Sequence, residues 1–284
     1  MKKFLRILIK TLLFIIIAWL IVAQICKRFR ISDSKAIADF KLAGISLHIH
    51  SVIINGRRIH YVSTGSDSMP KLVFIHGSPG SWDDFQDYLE DSELLKKFNM
   101  ISIDRPGLGY SNFGKAEHID EQAKQISVLL RDIKNGKPLY LVAHSFGGPV
   151  AVTLASYNPT LINGLVMLAG CVDPDEEEKE EWRRLTTYPP LRYFVPGAMR
   201  PSNDELIYFK QDVLQMPYVL PQVKCKVVLM QGDADVVVPY QNAVYAKSKM
   251  INAQSVQLIT LKGADHSIPW SNFNEVKKVL LNLQ

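Results

Sequence analysis

The sequence predicts an α/β domain: a mostly parallel, eight-stranded sheet with helices on both faces and a small inserted lid. Three features carry that expectation. Short unbroken apolar runs recur along the chain, segments with helical spacing lie between them, and one long proline-rich stretch interrupts the alternation. Unbroken apolar strands are what a sheet covered on both faces requires, because neither face has to meet water.

The chain opens on its most apolar segment. Thr11–Cys26 is an uncharged run of 16 residues, and Ile7–Cys26 gives 20 if Lys10 turns its ammonium toward the surface. About 20 residues is what a helix needs to cross ~30 Å of hydrocarbon. Residues 1–30 therefore read as an anchor or signal segment. Ile21-Val22-Ala23 is a poor signal-cleavage site, and Trp19 lies inside the run rather than at its edge. The expectation is one N-terminal membrane helix with the body outside the cytoplasm; secretion after cleavage is the alternative. Residues 31–45 follow as a polar linker, and 46–284 as the folded domain.

Residues 1–35 hold eight basic residues and one acid, whereas the rest of the chain holds 25 basic and 27 acidic. The body has no cationic excess to neutralise phosphates, so nucleic acid is excluded as a partner. Three cysteines make no disulfide framework, and no paired Cys/His spacing calls for a metal; no cofactor is expected.

Within the body, Ser46–Ile54 and Arg57–Thr64 alternate around Asn55-Gly56 and read as a hairpin at one sheet edge. Strands follow at 72–75, 100–103, 139–143, 165–168, 227–230 and 256–259. Helices are expected where Ala123, Ile126, Leu129, Leu130 and Ile133 recur, at Pro149–Tyr157, near Gln241–Lys249 and at Phe273–Leu283. Residues 172–222 break the rhythm. This stretch of 51 residues has seven of the fifteen prolines, seven aromatics and an acidic opening, DPDEEEKEEW, expected as a solvated helix face. Insertions of this length are usually functional, and this one reads as a lid that governs substrate choice more than chemistry.

The strand Leu139–Ala143 runs directly into His144-Ser145-Phe146-Gly147-Gly148 and then a helix. This is the strand–turn–helix context that presents a serine hydroxyl above a sheet, with small residues needed two before and two after it, here Ala143 and Gly147. A serine is a weak nucleophile without a base, so a carboxylate-oriented histidine is required. Gly232-Asp233-Ala234-Asp235 and Gly263-Ala264-Asp265-His266 each follow a strand and so start at the same carboxyl edge as Ser145, the edge where open α/β sheets place their sites.

With HGSPG (76–80), DRPGLGYS (104–111), AHSFGG (143–148), GDADVVVP (232–239) and GADH (263–266) in this order, the body resembles the α/β-hydrolase superfamily over residues 46–284. The resemblance implies the α/β-hydrolase fold and a Ser–His–Asp triad: Ser145 as nucleophile, His266 as base and then acid, and Asp235 as the orienting carboxylate. The family's Gly-x-x-Asp-x-x-x-Pro pattern selects Asp235 over Asp233, whose ordinary role would be to cap a loop; Asp265, next to His266, is badly placed to orient it. Acyl transfer also needs donors for the developing oxyanion. The Phe146 N–H is one, and the resemblance points to the Ser78 N–H as the other. His76, Asp104 and Arg105 are expected to shape loops. His144 should point away from the nucleophile, and His48, His50, His60 and His118 read as surface or strand residues.

A serine at this turn argues against the family's epoxide hydrolases and haloalkane dehalogenases, which carry aspartate there. Carboxylic esters of apolar or lipid-like acids are the expected small-molecule substrates, given the aromatic lid and the membrane helix. HGSPG is also close to the HGGPG of proline iminopeptidases, so a peptidase or amidase is an alternative. So are a C–C bond hydrolase and a non-catalytic binding protein of the same fold.

Overall fold

The structure, a computed structural model, describes residues 2–25 and 30–283. Met1, the end of the apolar run at Cys26, residues 27–29 and Gln284 lie outside the described residues. Helix α1 (Lys2–Ile25) is 24 residues long, and nearly all its side chains are exposed. It is long and apolar enough to be a membrane anchor or a signal sequence.

The expected linker is not all linker. Asp33–Leu42 forms helix α2, started by Ser32, whose hydroxyl accepts the Lys35 N–H. Its two inward positions, Ala36 and Phe40, are one turn apart and fully buried, with the Phe40 ring 6.3 Å from that of Trp82. Its five apolar residues, Ala36, Ile37, Ala38, Phe40 and Leu42, are spread around the helix rather than gathered on one face, so the helix is held by docking on the domain rather than by its own pattern.

Among the described residues eight strands form one sheet: β1 (His48–Ile54), β2 (Arg57–Thr64), β3 (Lys71–Ile75), β4 (Asn99–Ile103), β5 (Leu139–His144), β6 (Gly164–Leu168), β7 (Lys226–Gly232) and β8 (Ser255–Leu261). Their order is β1-β2-β4-β3-β5-β6-β7-β8. The hairpin β1–β2 joins antiparallel at β4, and every other pairing is parallel. Asn55 and Gly56 both take positive φ, which the tight turn demands.

Along β3 the side chains alternate between two cores. Val73 and Ile75 pack with α3 (Ile119–Ile133) and α4 (Gly147–Tyr157). Leu72 and Phe74 belong to the other core, with Phe40, Phe85, Tyr88 and Leu280. The insertion divides in two. Residues 174–199 form short 3₁₀ turns, including the acidic run, which is not one helix as expected. Residues 200–222 contain α5 (Arg200–Val213), which buries Phe209 and Val213 in the same core as β3. The chain closes with α6 (Gln241–Lys249), β8 and α7 (Phe273–Leu281).

Candidate active site

Register fixes the site. Ile75 of β3 pairs with Ala143 of β5, and Gly232 of β7 pairs with Leu261 of β8. The loops that follow these strands emerge side by side at the carboxyl edge, carrying Ser78, Ser145, Asp235 and His266.

Ser145 has φ of 53°, a left-handed conformation that a residue with a Cβ adopts only under constraint. The constraint is visible on both sides. The Ser145 N–H donates to Leu168 O and its C=O accepts from Gly148 N. Gly147 must lack a side chain, since a Cβ there would press on the Ile75 and His76 carbonyls. Gly77 lies so close that a Cβ would stand 3.0 Å from the Ser145 Cβ, which sets the 76–80 loop directly against the serine.

Three expected residues meet. His266 Nε2 is 3.0 Å from Ser145 Oγ, and His266 Nδ1 is 2.9 Å from Asp235 Oδ2. Asp235 is nearly buried and fully engaged. Oδ1 accepts the N–H groups of Val237 and Val238, and Oδ2 also accepts from Gln231 Nε2 at 3.0 Å. Burial would raise its pKa, but the hydrogen bond from His266 and those backbone donors outweigh it and hold the carboxyl below its usual value. An ionised Asp235 can only accept. Nδ1 of His266 therefore carries the proton, and Nε2 presents its lone pair to the Ser145 hydroxyl.

The rival carboxylates are elsewhere. Asp233 Oδ1 accepts the Gly263 N–H at 2.6 Å, the loop-capping role, and Asp265 accepts from Ser267 N. His144 turns away from Ser145, as expected, and has a task of its own. Its Nε2 donates to His266 O at 3.0 Å, and its ring lies 4.8 Å from that of His266 and 5.3 Å from Trp270. Burial, then the neighbouring His266, pushes its pKa down to about 3, so it stays neutral. His76 is buried between two bonds of opposite sense: Nδ1 donates to Gly77 O and Nε2 accepts the Arg105 N–H. Burial, and then the Arg105 charge, holds its pKa well below the usual histidine value. His60 is a strand residue, as expected, and not a surface one. It is buried in β2 with Nδ1 2.8 Å from Asp104 Oδ2. His118 is partly exposed and bonded to Asp212.

Sequence reasoning missed what holds the 76–80 loop. Arg105 is fully buried, and all five of its side-chain N–H donors are used. Nε donates to His76 O (2.8 Å) and Nη2 to Gly77 O (2.9 Å); Nη1 donates to Gln122 Oε1. Nη1 and Nη2 together clasp Glu205 of α5 at 2.9 Å each. The guanidinium also lies over the Phe146 ring, and Ser78 Oγ is 2.6 Å from Ser202 Oγ, again on α5. The docked half of the insertion is thus built into the floor of the site. Glu205 gives no local signal, because its partner is 100 residues away.

A family model described as the alpha/beta hydrolase fold matches residues 70–193. Epoxide hydrolase 1 of Caenorhabditis elegans is 34% identical over 113 residues, which is 38% of this chain and 27% of that protein. Epoxide hydrolase 3 of Mus musculus is 28% identical over 156 residues, 51% of this chain and 41% of that one. The chain spans less than half the length of either relative. Among solved structures, a membrane phospholipase A described as a bacterial virulence factor superposes with a TM-score of 0.61 at 19% identity, covering 99% of this chain and 100% of that one. At that identity the likeness is one of fold.

Proposed function

Because the chain belongs to the α/β-hydrolase superfamily, we propose that it is a serine hydrolase working through an acyl-enzyme, and that its substrates are carboxylic esters of apolar or lipid-like acids. The observation that carries the reading is the unbroken chain Asp235–His266–Ser145, at 2.9 and 3.0 Å. Ser145 Oγ attacks the ester carbonyl as His266 Nε2 takes its proton. Asp235 keeps Nδ1 protonated and stabilises the imidazolium. The negative charge on the carbonyl oxygen is met by the N–H groups of Ser78 and Phe146, the latter just before the α4 N-terminus. His266 then protonates the leaving alcohol, and a water activated by the same histidine releases the acid.

The hydroxyl at position 145 favours this over epoxide opening, the activity named for the relatives, because a route through an ester to the enzyme would need a carboxylate there. Apolar substrates are favoured by the aromatic side chains of the insertion and by α1, which we read as an uncleaved anchor with the body outside the cytoplasm.

The test uses the full chain in detergent with p-nitrophenyl esters of graded acyl length, a proline arylamide and a fluorophosphonate probe. Ester turnover and labelling that vanish together in Ser145→Ala are the expected result. Turnover that survives in that variant, or turnover of the arylamide alone, rejects the proposal.

A further inference from the structure

Helix α1 is tied to the insertion. Trp19 Nε1 donates to Phe194 O at 3.0 Å, Gln24 Nε2 donates to Tyr193 O at 2.8 Å, and Arg200 Nη2 donates to Gln24 Oε1 at 2.6 Å. These bonds fix where the insertion stands along the helix. From Ile7 to Ile25, a stretch whose one charge is Lys10, is about 27 Å at ~1.5 Å per residue, close to the ~30 Å of a hydrocarbon core. A bilayer around that stretch ends near Gln24, with Trp19 about 8 Å inside it at ~1.5 Å per residue, so Tyr193 and Phe194, bonded to these two side chains, stand at and just below the boundary.

The surface beside it has matching chemistry. Between 182 and 200 there are four arginines and no acidic residue. Trp182, Leu185, Tyr188, Leu191 and Tyr193 all expose much of their side chains, Tyr188 70% of it. Arg183, Arg184 and Arg192 are paired with Glu180, Glu181 and Asp204, which leaves the apolar and aromatic groups as the unmatched feature. Aromatic rings interleaved with arginines are the composition of a membrane–water interface.

We propose that the 182–194 face of the insertion is a lipid-docking surface, set at the hydrocarbon boundary of the same leaflet by its bonds to α1. The partner is a bilayer, and the proposal rests on reading α1 as a membrane anchor. Lipid-like substrates would then meet the insertion before they meet water.

Depth measurement tests this on the full chain in phosphatidylethanolamine–phosphatidylglycerol nanodiscs. Cys171 and Cys225 are buried, so Cys26→Ser provides the background. Single labels are placed at Leu185→Cys, Tyr188→Cys and Leu191→Cys. The control is Lys137→Cys, which lies before β5 at the opposite edge of the sheet. The accessibility of each spin label to oxygen relative to a water-soluble nickel chelate should be about fivefold higher at the three sites than at the control, because oxygen concentrates in hydrocarbon. Ratios equal to the control overturn the proposal. Protection from both reagents also overturns it, since that signals a protein partner or a second copy. Failure of the chain to insert removes its premise and overturns it too. None of these readings depends on turnover, so an inactive protein with deep labels would reject the serine-hydrolase reading and leave this surface standing.

Discussion

Removing the carboxylate of Glu205 should disable the site from a distance. Glu205 and Arg105 are both fully shielded from solvent, joined by two 2.9 Å bonds, and every other guanidinium donor is already committed. In Glu205→Ala two of the five donors lose their acceptor, and an arginine charge is left buried without a counter-ion. Breaking such a pair from one side costs about 3–5 kcal/mol. Against a total stability of roughly 5–15 kcal/mol this is a large fraction. At ~2–4 °C per kcal/mol for a domain of this size, the melting temperature should fall by on the order of 10 °C.

Activity should fall as well. Arg105 holds the carbonyls of His76 and Gly77, and that loop carries the proposed Ser78 donor. Loss of one oxyanion donor costs about 10²–10³ in turnover, so a disturbed loop should cost up to that. The assay is kcat on p-nitrophenyl butyrate beside a circular-dichroism melt, and a second variant separates position from stability. Arg105→Met with Glu205→Leu removes both charges, a change often neutral for stability, so the melt should recover while kcat stays low. If Glu205→Ala melts within a degree or two of the parent at unchanged kcat, the burial argument fails. If the double variant recovers turnover too, the pair does not position the loop.

Four further outcomes are expected. Ser145→Ala should lose about 10⁶ in turnover with its melt unchanged, since the hydroxyl serves chemistry and little else; a tenth of parental activity would end that assignment. Asp235→Asn should cripple turnover while Asp233→Asn, which only weakens the cap on Gly263, should be mild, and the reverse order would move the acid by two residues. Because the Asp235 carboxyl lies below its ordinary value, it stays ionised as pH falls through the usual carboxylate range and adds stability until its own lower pKa is passed. Asp235→Asn should therefore flatten the acid side of a melt-versus-pH series, and an acid slope that the substitution leaves as it was would belong to other groups. Asp84 has the opposite sign: burial, then the Asp83 charge, raises it to about 7, so the folded protein binds the extra proton between about 4 and 7 and loses stability as pH rises across that window. Asp84→Asn should flatten that slope in a melt-versus-pH series and raise the melting temperature at pH 8; a slope unchanged by the substitution would assign it to other groups.

What the sequence made legible was local. Ser145, Asp235 and His266 each sit within five residues of a strand's end, so a strand pattern plus a turn was enough to bring them to one edge. The strands were legible for the same reason, as short unbroken apolar runs. What stayed hidden was long-range and polar. Helix α2 buries only two of its five apolar residues, His60 finds Asp104 across the sheet, and Arg105 finds Glu205 through an insertion that looks dispensable in one dimension. That last case reverses an inference the sequence invites. With the proposed catalytic groups all outside residues 175–217, excising the insertion looks like a change of specificity alone. In three dimensions the excision removes Ser202 and Glu205, strips Phe209 and Val213 from the core, and leaves Arg105 buried with its charge unmatched. Only the 174–199 half, made of short turns around exposed aromatics, is separable from the floor of the site. A deletion confined to that half should keep the fold and the turnover of short soluble esters while losing discrimination by acyl length. A deletion that runs on through α5 should lose the fold along with the activity. If circular dichroism finds the longer deletion folded and active, the division of the insertion into a docked half and a lid half is wrong.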